Sequence, residues 1–231
     1  CINRILVFLS QIIYILCDRV ERFYMDQNSI MTQIQKKVSQ MKSGTIFTAR
    51  DFREISDGSA IRQSLKRLTE SGTIRRIAHG MYDKPVYSRF LGEFEEADIY
   101  NAAQVLARIN NWTIAPSGNI ALNLLGLSTQ VSTRWSFVSD GPYRTYTVGS
   151  GTIEFKHRAN REITGMSEKT LLVIQALKAL GKERVTDLFL AKMQETLTCS
   201  EKKKLLIEAK TASSWIIKAI QKICEEVPCS G

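Results

Sequence analysis

Two histidines and five cysteines are all that 231 residues offer for binding a soft or borderline metal. The cysteines (Cys1, Cys17, Cys199, Cys224, Cys229) are odd in number and scattered, with no Cys-x-x-Cys pair, and neither His79 nor His157 stands beside one. This pattern argues against both a structural zinc site and a disulfide framework, so thiols in a reducing cytoplasm are expected. No serine triad is legible, and Gly149-Ser150-Gly151 lacks the lysine that a phosphate loop requires. Internal repeats and low-complexity stretches are also missing. The most apolar run, residues 5–16 (ILVFLSQIIYIL), is twelve residues long, short of the roughly 20 that span a bilayer. Cys17-Asp18-Arg19 follows it where a small-x-small cleavage site would stand. Residues 1–24 are therefore expected to be a non-native leader or an upstream extension. Met25 and Met31 look like better starting points, and on that reading no membrane partner is expected.

What the chain does have is positive charge in one place. The hydrophobic share of 44% and charged share of 24% are ordinary for a folded domain with a real core. The net charge is +9, and residues 31–84 alone carry 11 Lys/Arg against 5 acids, a local excess of +6 in under a quarter of the chain. A basic surplus suits nucleic acid or acidic lipid, and its concentration in one segment points to a patch.

That segment has a regular order of elements. Ile30, Ile34, Val38 and Met41 fall on one stripe of a helix, which Gly44 is expected to stop in a left-handed conformation. Thr45-Ile46-Phe47 suits a short strand. Thr48 and Asp51 have capping spacing for a second helix that turns Phe52 and Ile55 inward. After Asp57-Gly58-Ser59, a third helix is expected over residues 60–71 with Ile61, Leu65 and Leu68 inside, ended by Gly72. A hairpin follows: residues 73–77, a turn at Ala78-His79-Gly80, and residues 81–83, closed by Pro85. Helix, strand, helix, helix, hairpin is the order of a winged helix-turn-helix.

The third helix would present Ser59, Arg62, Gln63, Lys66, Arg67 and Glu70 outward. Arg can make a bidentate contact with guanine and Gln with adenine, so Arg62 and Gln63, in the first two turns, are candidate base readers. Lys66 and Arg67 are candidate phosphate contacts, as is the N-terminus capped by Thr48. Arg75, Arg76 and His79 surround the hairpin turn, where cations suit the minor groove. The expected partner is double-stranded operator DNA.

Thr48-Ala49-Arg50-Asp51-Phe52, the run Leu65-Lys66-Arg67-Leu68-Thr69-Glu70-Ser71-Gly72-Thr73-Ile74 and the closing Gly80-Met81-Tyr82 resemble the winged-helix head of abortive-infection (AbiE-type) antitoxins. Ala115-Pro116-Ser117-Gly118, Leu122 to Leu127 and strands within residues 135–158 resemble their second domain. The resemblance implies a repressor of its own operon in a type IV toxin–antitoxin system. Such an antitoxin counteracts a nucleotidyltransferase toxin without binding it stably. A stand-alone transcription regulator is the alternative.

Beyond Pro85, helices are expected over residues 93–109 and 117–127, strands over 135–138, 144–148 and 152–158, and helices from Ser167 to Gly181, over 184–195 and over 200–226. The expected class is α+β, mainly helical. A leader (1–30) precedes a winged helix-turn-helix (31–89), a mixed helix/strand antitoxin-like domain (90–165) and a helical C-terminal region (166–231). One constellation could support catalysis: Asp140, Glu154 and Lys156 approximate the carboxylate pair and lysine of a metal-dependent nuclease. Alternation along a half-buried strand and the Asp-Gly-Pro turn explain the same residues without a metal. No enzymatic activity, cofactor or metal is expected.

Overall fold

The structure, a computed structural model, describes residues 29–130, 133–159 and 162–225. The leader reading of residues 1–24 and the end of the last expected helix at Glu226 lie outside them. The described chain is mixed α/β with small sheets, and it divides into two compact units between Ala97 and Asp98.

In the first unit, α1 (Ile30–Gln40) is capped by Ser29, whose hydroxyl accepts from Thr32 N at 3.1 Å. The helix ends at Met41 in extended backbone. Gly44 does adopt a left-handed conformation (φ +82°), but it does so inside the turn that follows. Next come β1 (Ile46–Thr48) and a single 3-10 turn (Ala49–Phe52), where a full second helix was expected. Thr48 and Asp51 do form a capping box there, with Thr48 N donating to Asp51 at 2.8 Å, but the chain makes one tight turn and stops. Burying Phe52 edge-on against Phe47, centroids 5.6 Å apart, needs no more than that turn.

Helix α2 (Gly58–Glu70) begins two residues earlier than expected because Asp57 serves as its cap, accepting from Ser59 N and Ala60 N at 3.2 Å each. It ends with Gly72 left-handed (φ +73°) and Thr73 N donating to the Leu68 carbonyl at 3.0 Å, a geometry that satisfies the last helical carbonyls. Strands β2 (Arg75–Ala78) and β3 (Met81–Asp83) form a hairpin, and β1 joins β3 to give an antiparallel sheet of order β1-β3-β2. Ile34, Val38, Phe47, Phe52, Ile61, Leu65, Leu68 and Ile74 make one core. A small hairpin, β4 (Tyr87–Ser88) with β5 (Glu93–Phe94), completes the unit.

That hairpin overturns the helix expected from residue 93. Gly92 turns the chain back (φ +72°), and Tyr87 packs against Phe94, centroids 5.3 Å apart. The helix itself, α3 (Ile99–Asn110), starts six residues later under an Asp98 cap.

In the second unit a four-stranded sheet is ordered β6 (Ile114–Pro116), β7 (Arg134–Ser139), β9 (Gly151–His157), β8 (Arg144–Val148). The pair β7 and β9 is parallel, the rest antiparallel. Phe137 and Phe155 are fully buried, with Tyr100 of α3, Trp112 and Tyr146 around them. The connection from β7 to β8 passes under the Trp112 ring: a Cβ on Gly141 would lie 2.3 Å from it, so glycine is required by that close approach.

A short α4 (Asn119–Leu124) and a helical layer complete the unit. α5 (Glu168–Leu180), capped by Ser167 as expected, is buried continuously from Thr170 to Leu177, as a helix apolar on all sides must be. Around it lie α6 (Asp187–Thr196), α7 (Cys199–Glu208) and α8 (Ser214–Cys224). The single last helix expected from residue 200 is thus two, broken at residues 209–213 so that Leu205 and Ile216 can face one core. Cys224 is a free thiol pushed up by burial. Among the described residues no helix is long and apolar enough to cross a membrane.

Candidate nucleic-acid interface

Burial of Ile61, Ser64, Leu65 and Leu68 fixes the orientation of α2. Ser59, Arg62, Gln63, Lys66 and Arg67 are then all exposed along the opposite face. Lys66 lies 3.8 Å from Glu70, one turn on, with both side chains mostly in water, a pair worth a few tenths of a kcal/mol. Arg62, Lys66 and Arg67 therefore form a cationic stripe with Gln63 inside it.

The N-terminus of α2 is not open to an anion. The Asp57 carboxylate occupies its first N–H groups, and the Ala60 N–H, with the Ser59 hydroxyl at 3.0 Å, holds that carboxyl below the ordinary aspartate value. An acid at that position repels phosphate, so cationic contacts must lie further along the helix. The spacing from Asp57 to Ala60 is an N-cap spacing, and it places the helix start two residues before the expected Ala60.

On the hairpin the two arginines part company. Arg75 makes a bidentate ion pair with Asp83, at 2.6 and 3.2 Å, and also donates to the Glu95 carbonyl at 3.0 Å. Asp83 is only 2% exposed, so Arg75 is the counter-charge of a buried carboxylate, which also raises the arginine's pKa. This corrects its expected place in the DNA contact. Arg76 points the other way and is exposed, donating to the Ala78 carbonyl at 3.4 Å with His79 Nδ1 3.3 Å away. The turn is open because Gly80 takes φ +70°, and Arg76 and His79 sit on its outer side. Thr48 is a second correction: it is 5% exposed and bonded to Asp51, so it holds the fold and offers nothing to a phosphate.

Two further cations of the basic segment are structural. Lys37 donates to the Asp51 carbonyl at 2.5 Å, pairs with Glu54 and lies over the Phe52 ring. Lys84 donates to the carbonyls of Ser39 and Met41 at the end of α1, at 2.8 and 2.7 Å. Arg53, counted in the surplus but assigned no role, is exposed just after the 3-10 turn.

The nuclease constellation does not assemble. Glu154 stands level with Ser136 and Thr145, whereas Asp140 follows Ser139, which is level with His157. The two carboxylates are thus about four residue steps apart, roughly 13 Å along the sheet, too far to share one cation. Asp140 accepts from Thr113 N at 2.9 Å, and Glu154 pairs with Lys156 at 3.5 Å. Among the described residues no group of three or more His, Cys, Asp or Glu converges. A cavity of about 490 Å³ in the second unit is lined by Glu162 and Lys178, which are bonded to each other at 3.2 Å.

The molecule so described is a two-unit mixed α/β protein whose first unit carries an exposed basic helix face. It belongs to DUF6088, a family of unknown function, which it matches over residues 33–225 and hence across both units. No curated protein matches the chain.

Proposed function

We propose that this chain is a DNA-binding transcription regulator, with residues 29–97 forming a winged helix-turn-helix in which α2 is the recognition helix and β2–β3 the wing. The observation that carries this reading is the α2 face, where three cations and Gln63 are exposed on a helix fixed by a complete core. Such a helix fits the major groove, with Arg62 and Gln63 at base edges and Lys66 and Arg67 on phosphates. Ser59 faces the same groove. Arg76 and His79 at the wing turn suit the minor groove. Arg75 and Thr48 serve the scaffold.

The finer role we propose is that of a cytoplasmic repressor of its own operon. The resemblance of the first unit to AbiE-type heads supports a second task, opposing a nucleotidyltransferase toxin without a stable complex. Neither task calls on catalysis.

The test is fluorescence anisotropy with a duplex from upstream of the gene and a scrambled duplex of equal length. The upstream duplex should bind more tightly. With three to four phosphates neutralised, its affinity should fall with salt at a log–log slope of roughly −3. Equal affinity for both duplexes with no salt dependence would end this reading.

A further inference from the structure

The β4–β5 hairpin carries four large apolar side chains that stand exposed among the described residues. Phe90 is 96% exposed, Leu91 60%, Phe94 59% and Tyr87 54%. Single exposed apolar residues are ordinary, but these four occupy eight consecutive residues on one turn of chain. At about 200 Å² per large side chain they expose roughly 500 Å² of apolar surface, within the size range in which a monomer's largest patch is often functional. A two-stranded hairpin is also marginal by itself in water. Among the described residues it is tied down at its base, where Glu95 N donates to the Val86 carbonyl at 2.8 Å and Arg75 reaches the Glu95 carbonyl. Among the described residues its tip is an exposed apolar projection.

We propose that this hairpin is a dimerisation surface and that its occupant is the same hairpin of a second copy of this chain, packed antiparallel about a two-fold axis. The area agrees: a standard interface buries about 800 Å² per partner, of which rather more than half is apolar, close to what the hairpin exposes. The charges agree as well. Arg89 stands at the tip and Glu95 and Glu96 at the base, all exposed. An isologous contact brings residue i of one copy to residue j of the other, and j to i. Antiparallel packing thus sets each Arg89 against the acidic base of the opposite copy, twice, around the apolar centre. The segment's charge, one cation against Glu93, Glu95 and Glu96, is acidic and repels an anionic lipid surface. That removes a membrane as the occupant of the tip.

The experiment is sedimentation velocity of the full chain over a range of concentrations, with circular dichroism on every variant. The chain should sediment as a dimer that dissociates on dilution. Phe90→Asp should weaken it by about tenfold or more with unchanged dichroism and melting temperature, since that ring is almost wholly exposed. Arg89→Glu should also weaken it, and adding Glu95→Arg with Glu96→Arg should restore it. A chain monomeric at every concentration overturns the proposal, and so does a dimer indifferent to Phe90→Asp. Loss of fold in Phe90→Asp overturns it too, because it would mean that the tip is covered by its own chain.

Discussion

Arg75 and Arg76 are neighbours with opposite fates, because successive residues of a strand face opposite ways. Arg75 neutralises a buried carboxylate and Arg76 does not, so substitution should separate them. Arg75→Ala strands Asp83 in the interior and should destabilise the first unit by about 3 kcal/mol, at the low end for a broken buried pair since the guanidinium is one-third exposed. Thermal melting measures this, and a midpoint shift no larger than that of Arg76→Ala would refute it. Arg76→Ala should leave stability within about 0.5 kcal/mol and weaken all duplexes alike. Arg62→Ala and Gln63→Ala should each lose roughly 1–3 kcal/mol on the upstream duplex and blunt its preference over scrambled DNA. Asp57 makes a further residue-scale case. Its carboxyl is held below 3.8, so its support of α2 is complete above that pH and is lost as the pH falls through the lower folded value. Asp57→Asn keeps a capping oxygen but removes the charge. The acid-side loss of helicity attributable to this residue should vanish, and DNA affinity should rise. A fall in affinity would contradict the electrostatic account of the helix start.

Among elements, those whose signal is local were legible in sequence. The stripe Ile61, Leu65, Leu68 marks α2, Gly80 the turn of the β2–β3 hairpin, and Ser167 the start of α5, because caps, turns and periodicity act over a few residues. The misreadings occurred where a distant contact decides. Residues 93–98 have helix-forming glutamates, yet Phe94 pairs with Tyr87 across Gly92. Residues 49–55 have a helix cap, yet Phe52 is satisfied after one turn. The role of Arg75 was hidden for the same reason, since nothing in Arg75-Arg76 tells which one meets Asp83, eight residues on. Docking of α3 on α5 offers a measurable case of such a contact. Tyr100 of α3 donates to Glu168 of α5, and burial, followed by that carboxylate, pushes the phenol up to about 12. Favouring the neutral phenol stabilises the fold fully below the ordinary value of 10, and this is lost as pH rises through 12. Spectrophotometric titration should show one tyrosine ionising about two pH units late, absent in Tyr100→Phe. Ionisation of all tyrosines near 10 would refute this docking.

For the whole molecule, the division at Ala97 separates the basic helix face from the larger part of the chain, and the family match spans both. A chain serving only to bind an operator would not need the second unit. Residues 29–97 alone should therefore retain salt-dependent binding to the upstream duplex but fail to rescue cells expressing a co-encoded toxin. Rescue by that piece would make the second unit dispensable to the role proposed for it.

The same division has an optical consequence. All three tryptophans, Trp112, Trp135 and Trp215, lie beyond Asp98, and Trp112 is packed on Gly141 and edge-on to Phe155. Indole emission during denaturant unfolding therefore monitors the second unit alone, while far-ultraviolet ellipticity sums the helices of both. Wherever the two traces separate, their difference is the unfolding curve of the first unit, read in the intact chain.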